Sequence, residues 1–189
     1  MDNFSYTDEQ LIARFQAGDE NAYIELVNRY RNRLMTFVFR FVGETEQAED
    51  IVQDTLIKVY THRHFYKEIA KFSTWIYTIA GNLSKTELRK RKRRKTSSIS
   101  QMGIDDRDYE IPAIEPETDD VLQGEYTEQQ IQRSIQSLPQ HFRTVIILRD
   151  IQELSYEEIS KIVDVPLGTV KSRINRARLQ LQDQLKEFK

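Results

Sequence analysis

The sequence predicts an all-α protein. Two small helical domains are joined by a flexible acidic linker, and the C-terminal domain contains a helix-turn-helix. Three observations lead there. Apolar residues recur every three or four positions over most of the 189 residues, as the buried stripe of a helix requires, and no segment reads convincingly as a strand. Charge is unevenly placed: residues 1–95 carry net +4, residues 96–127 net −8 and residues 128–189 net +2, within a total of −2. The middle stretch contains prolines and many acids but no sustained period. The predicted domains are therefore 1–95 and 128–189, with the linker at 96–127.

In the first domain, Leu11, Ile12 and Phe15 mark a short helix that Gly18-Asp19 breaks. Tyr23, Leu26, Val27, Tyr30, Leu34, Phe37, Val38 and Phe41 mark a longer one ending at Gly43. Acids at Glu44–Glu49 open a third helix, carrying Ile51, Val52, Leu56, Val59 and Tyr60. The polar stretch THRHFYKEIAK interrupts it. A fourth helix begins near Ser73, carries Trp75, Ile76, Ile79, Ala80 and Leu83, and runs out in seven consecutive cations, Arg89–Lys95. In the last domain Ile131, Ile135 and Leu138 form one stripe. Pro139 suits the first turn of the next helix, which carries Phe142, Val145, Ile146 and Arg149.

The final segment, LSYEEISKIVDVPLGTVKSRINRARLQL, has mutually consistent signals. Ser155 and Glu158 form a capping box, and Leu154 with Ile159 form a hydrophobic staple. Pro166 disfavours helical geometry at Val165 and so ends one helix before another begins. In the second helix Val170, Ile174, Ala177 and Leu181 fall on an inward side. Thr169, Ser172, Asn175 and Arg176 fall opposite, with Lys171, Arg173 and Arg178 on the flanks. Arg and Asn side chains make paired hydrogen bonds to guanine and adenine edges, and flanking cations hold phosphates. Gly168 permits close backbone approach. The alternative for this helix is an ordinary solvated face.

The cationic run by itself fits either a solvated tail or a polyanion binder. Phe72, Trp75 and Tyr77 stand upstream beside Ser73, Thr74 and Asn82, and aromatic rings next to cations suit single-stranded nucleic acid. Core packing is the other reading of Trp75.

Several classes are excluded. With no cysteine there is no disulfide, thiol nucleophile or Cys-ligated zinc. No apolar run approaches the ~20 residues that span a bilayer, and the acidic N-terminal stretch does not read as a signal peptide. His62, His64 and His141 lack the partners of a metal or catalytic site. The sequence therefore calls for no catalytic residue, metal or cofactor, and for a protein that stays in the cytoplasm.

The order of AEDIVQDT, FSTW with its basic helix, and PLGTVKSR resembles the bacterial RNA polymerase sigma factors, most nearly the small extracytoplasmic-function (ECF) class. The resemblance covers nearly the whole chain outside the linker. It implies that residues 1–95 correspond to sigma region 2, which binds core polymerase and recognises and melts the −10 element. Residues 128–189 correspond to region 4, which reads the −35 duplex. Glu49, Asp50, Gln53 and Asp54 match the contact to the polymerase clamp coiled coil. The loop 62–71 occupies the place of the loop that captures a flipped −10 base, and Asn82 matches a −10 strand contact. With them Phe65, Lys71, Phe72, Trp75, Tyr77 and Arg89 make up the −10 set. Arg149, Thr169, Lys171, Ser172, Asn175 and Arg176 make up the −35 set. The chain departs from the family pattern at Thr86, where an aspartate is common, and in the basic, aromatic character of the 62–71 loop.

The implied partners are core RNA polymerase (clamp coiled coil and flap), promoter DNA and an anti-sigma factor, with no membrane insertion and a monomer when free. Leu179, apolar on the outer side of its helix, is a candidate contact for the anti-sigma factor or the flap. Two rival classes fit the sequence less well. An autonomous dimeric repressor would use the same helix pair but would not need FSTW or AEDIVQDT. An enzyme would need a nucleophile–base pair or a phosphate loop, and the sequence has neither.

Overall fold

The computed structural model describes residues 6–102 and 120–186, with side chains described over 6–94 and 128–186. The described elements are helices and turns, with no strand among them. In chain order they are α1 (Asp8–Gln16), α2 (Glu20–Val42), α3 (Thr45–Thr61), a 3-10 turn (Arg63–Phe65) and α4 (Phe72–Met102). Then come α5 (Asp120–Ser137), α6 (Gln140–Ile146), a π-helical turn (Ile147–Ile151), α7 (Tyr156–Val163) and α8 (Leu167–Lys186).

Local chemistry explains the boundaries. Thr7 and Gln10 form a capping box at α1, and Gly18 at φ +102° carries the chain out of it. The Asp19 carboxylate then accepts from Asn21 N–H at 3.1 Å and starts α2. Gly43 ends α2 in the left-handed region at φ +84°. A Cβ there would meet the end of the Gln136 side chain, which can shift, so it is the left-handed backbone that calls for glycine. Gly43→Ala should cost at least the ~1–2 kcal/mol of a left-handed non-glycine residue, read as a lowered urea midpoint. An unchanged midpoint would show that Gln136 and the turn relax freely.

α4 continues to Met102 and α5 begins at Asp120, so the described backbone of 96–102 and 120–127 is helical. No proline or glycine lies between Gly81 and Gly103, and a helix already nucleated propagates at little cost until such a residue stops it. Likewise no proline interrupts residues 117–138. The remainder of the predicted linker, 103–119, lies outside the described residues.

α2 is the spine of the N-terminal half, packed by α1, α3 and α4. Its buried face carries Leu26, Tyr30, Leu34, Phe37, Val38 and Phe41. An aromatic cluster fills the space between α2 and α4. Tyr30 meets Phe72 edge-on at 5.3 Å, Phe37 meets Tyr77 at 5.3 Å, and Trp75 lies 5.5 Å from Tyr66. Burial, then the Asp8 carboxylate that accepts from the Tyr30 hydroxyl, pushes the Tyr30 phenol far up, and burial with nearby acids pushes Tyr66 up to about 12. In the C-terminal half α8 packs on α5, α6 and α7 through Val170, Ile174 and Ala177. No described helix is long and apolar enough to cross a membrane.

The halves also touch. α4 lies against α7, and α2 lies against α5 and the π-helical turn.

Candidate nucleic-acid interface

The helix-turn-helix forms as its sequence signals dictate. Ser155 Oγ accepts from Glu158 N–H at 3.2 Å, and Glu158 Oε2 accepts from Ser155 N–H at 2.8 Å. Leu154 and Ile159 are both buried, as the staple requires. α7 ends on Asp164 in the left-handed region, and the Ser160 hydroxyl donates to Val165 C=O at 2.6 Å. Thr169 and Val170 N–H then donate to Pro166 C=O at 2.9 and 3.1 Å, so α8 starts directly behind the proline. Ser155→Ala removes one half of the reciprocal cap. It should cost ~1 kcal/mol in thermal unfolding of the full chain; a loss under about 0.3 kcal/mol would mean water replaces the cap.

The face of α8 matches the wheel. Lys171, Ser172, Asn175 and Arg176 are exposed and Thr169 half-buried, whereas Val170, Ile174 and Ala177 are buried. Asn175 and Arg176 make no described hydrogen bond or ion pair, so their donors face solvent. Ser172 Oγ donates to Thr169 C=O at 3.0 Å, which sets its rotamer. An added Cβ at Gly168 would meet nothing within 4 Å, so the room it leaves opens outward, toward any approaching phosphate.

The cations of this stretch divide by their surroundings. Arg178 is held by Asp150 through Nε–Oδ2 at 3.0 Å and Nη2–Oδ1 at 2.5 Å, which raises its pKa above the usual guanidinium value. It ties α8 to the π-helical turn. Arg149 donates to Leu154 C=O at 2.8 Å and lies 4.7 Å over the Tyr156 ring, with Lys171 5.9 Å from the same ring. Asp150 and Tyr156 thus shape the site although no local pattern in the sequence singles them out. Each acts on a cation distant in sequence.

At the N-terminal half the predicted set separates into surface and core. Phe65 is 74% exposed and Ile69 83%, so the 62–71 loop presents two bare apolar side chains. Ile69 went unremarked in the sequence, where an isolated isoleucine in a polar stretch has no period to flag it. The loop is anchored from behind: Gln16 Nε2 donates to Arg63 C=O at 2.7 Å and to Tyr66 C=O at 3.1 Å. Asn82 and Arg89 are exposed on α4, and Trp75 is half-buried against Tyr66 and Phe72.

Phe72 and Tyr77 do not fit the predicted role as rings open to bases. Both are fully buried. Phe72 is covered by Tyr30, Tyr66 and Trp75, and its N–H donates to Glu9 Oε1 at 3.1 Å. Tyr77 is covered by Phe37 and Tyr30, and its hydroxyl donates to Gln152 Oε1 at 2.5 Å. Helical spacing puts both on the inner side of α4, a detail that the nearby cations obscure when the stretch is read as a string. Lys71 is exposed but pairs with Glu158 at 3.0 Å. Burial acts to raise the Glu158 carboxyl, but hydrogen bonds from Ser155 and Lys71 outweigh it and hold the group below its ordinary 4.5.

On α3, Glu49, Asp50, Gln53 and Asp54 are all exposed on one side, while Ala48, Ile51, Val52 and Thr55 are buried on the other. Ile57, one turn beyond Gln53 and Asp54, is half-exposed and extends that side with an apolar contact. Leu179 is 53% exposed on α8.

Comparison with known proteins agrees with this layout. Residues 26–94 match the family model for Sigma-70 region 2, and residues 128–181 match that for Sigma-70, region 4. The ECF RNA polymerase sigma-E factor of Escherichia coli is 38% identical over 175 residues, 91% of either chain. The RNA polymerase sigma-H factor of Pseudomonas aeruginosa is 36% identical over 174 residues, 90% of either chain. The ECF RNA polymerase sigma factor SigW of Bacillus subtilis is 34% identical over 179 residues, 94% of this chain and 96% of its own. Among solved structures, the sigma factor RpoE of Bartonella quintana, in complex with the anti-sigma factor NepR, superposes with TM-score 0.67 at 27% identity, covering 87% of this chain and 96% of that one. CnrH, in complex with the cytosolic domain of CnrY, shares the fold at TM-score 0.70 and 20% identity, covering 95% and 97%. With both regions matched in order and relatives similar along nine-tenths of their length, the chain belongs to the extracytoplasmic-function class of RNA polymerase sigma factors.

Proposed function

We propose that this sigma factor directs core RNA polymerase to promoters through three surfaces of its own chain. The observation that carries the reading is the outward polar face of α8, with Lys171, Ser172, Asn175 and Arg176 exposed and Thr169 half-buried, set behind the capping box of α7. That face enters the major groove of the −35 duplex, with Arg149 and Lys171 near the backbone. The 62–71 loop with Phe65, and the α4 side with Lys71, Trp75, Asn82 and Arg89, take the −10 strand. Phe72 and Tyr77 position that side from within. The acidic side of α3, Glu49, Asp50, Gln53 and Asp54, docks on the polymerase clamp, and α8 near Leu179 faces the flap or an anti-sigma factor. The chain acts in the cytoplasm, where its polymerase is, without catalysis of its own. Control by an anti-sigma factor is supported by the likeness to RpoE, which was solved with one.

The test is transcription in vitro with purified core polymerase on a genomic template library. The expected outcome is initiation at a discrete promoter set sharing two spaced elements. Initiation no different from core enzyme alone would overturn the reading.

A further inference from the structure

We infer that α4, α6 and α8 together form a binding site for a small, multiply charged phosphate anion of the diphosphate class. The site is an open cavity of about 270 Å³ with no acid in its lining. Lys85 and Arg89 line it from α4, Gln140 and His141 from α6, and Arg173 from α8. The site itself is independent of the proposed function; only its effect on strand binding rests on that reading.

These cations stand without counter-ions. Their neighbours on the same helices are neutralised: Lys90 pairs with Glu87 at 3.6 Å, Arg91 with Glu44, and Arg178 with Asp150. Among the described residues Lys85, Arg89 and Arg173 make no ion pair and donate no side-chain hydrogen bond, and the Gln140 amide is likewise uncommitted. Lys85 is half-buried, and burial, then the nearby Arg89 charge, lowers its pKa below the ordinary 10.5. Charges taken out of water are ordinarily paired. Like charges in a partly dry recess also repel more strongly than in bulk water. An anion drawn into the cavity relieves both penalties.

The lining also selects the class of anion. Three fixed positive charges call for more than one negative charge. A tetrahedral phosphate accepts from several directions, which suits donors converging from α4 on one side and from α6 and α8 on the other. Arginine forks bind phosphate oxygens in pairs, the lysine supplies a point charge, and the Gln140 amide and His141 ring N–H add donors. The volume lies just below the ~300–1,000 Å³ of sites for drug-sized ligands. His141 supplies the only ring of the lining, and it lies against Phe142 with centroids 4.1 Å apart, so little is offered to a nucleobase. The phosphates themselves are what the site recognises. Ser172, Asn175 and Arg176 lie outside the lining, so the duplex face stays free when the cavity is filled. Arg89 does not: it belongs to the proposed −10 set, and a bound anion takes that cation from the strand.

Calorimetric titration of the full chain with sodium pyrophosphate, at an ionic strength held constant with sodium chloride, tests the site. One anion per chain is expected to bind. Lys85→Gln and Arg173→Gln should each weaken its Kd at least about tenfold, the worth of one charged hydrogen bond. Arg94→Gln removes an exposed cation of the same run outside the cavity. It should change Kd less than about twofold. Thermal unfolding adds a readout that a poorly folded variant would not reproduce. Without the anion, Lys85→Gln should melt at or above the wild type, because a half-buried unpaired charge is gone. With excess pyrophosphate the wild type should overtake it. Equal weakening by Lys85→Gln and Arg94→Gln, no saturable binding, or a wild type that pyrophosphate does not stabilise would overturn the inference. DNA backbone is the other source of phosphate. Lys85→Gln should leave binding of the free chain to a short duplex within about twofold of wild type. A duplex loss as large as the pyrophosphate loss would assign the cavity to DNA and sink the free-anion site. Stoichiometric pyrophosphate binding without promoter-specific transcription would overturn the proposed function alone.

Discussion

Phe72→Ala is expected to remove about 3–5 kcal/mol of stability from the N-terminal half, the usual cost of truncating a fully buried phenylalanine. The ring is inaccessible and touches Tyr30, Tyr66 and Trp75, which come from α2, the 62–71 loop and α4. Its loss opens a cavity where three elements meet, and edge-on ring pairs worth about 0.5–1.5 kcal/mol each go with it. Urea unfolding of the full chain, followed by circular dichroism, measures the effect. A loss below about 1 kcal/mol would mean that the ring is not the keystone of this cluster. Phe65→Ala is the control. It is mostly exposed, so stability should stay within about 0.5 kcal/mol of wild type while promoter opening by the holoenzyme falls. The contrast separates a ring that builds the surface from a ring that works on it.

Arg176→Ala should cost about 1–3 kcal/mol of discrimination at the −35 element, the worth of one good base contact. That corresponds to roughly 5- to 150-fold between the preferred promoter and one substituted in that element. Run-off transcription from the two templates gives the ratio. If both templates lose the same factor, Arg176 holds backbone and does not read a base. Arg178→Ala supplies the comparison. Its guanidinium is occupied by Asp150, so its removal should loosen α8 on the π-helical turn and depress both templates alike.

Much of this was legible in the string of residues because the relevant physics is local. Ser155 and Glu158 are three positions apart, and a reciprocal cap needs nothing else. Pro166 and Gly43 act on their own backbone. The 3.6-residue period assigned Val170, Ile174 and Ala177 inward and Ser172, Asn175 and Arg176 outward, and it put Glu49, Asp50, Gln53 and Asp54 on one side of α3. Where reading went astray, the deciding contact was distant in sequence. Phe72 and Tyr77 were grouped with cations that follow them in the chain, but their actual neighbours are Tyr30 and Phe37 on α2. A helix ends where backbone chemistry stops it, and α4 runs on to Met102.

Taken alone, the sequence determined the all-helical class, the helix-turn-helix, the exposed polar face of α8 and the resemblance to sigma factors. All four depend on residues within a few turns of one another, or on motifs recognisable as written. Only the tertiary structure decided which aromatics are core and which are free, that Arg178 belongs to Asp150, and that Gln152, Gln132 and Arg143 join the two halves. Those pairings are 28 residues apart for Arg178 with Asp150 and 75 for Tyr77 with Gln152. No periodicity encodes such pairs. They form because a buried polar group needs a partner, and packing alone determines which one is within reach.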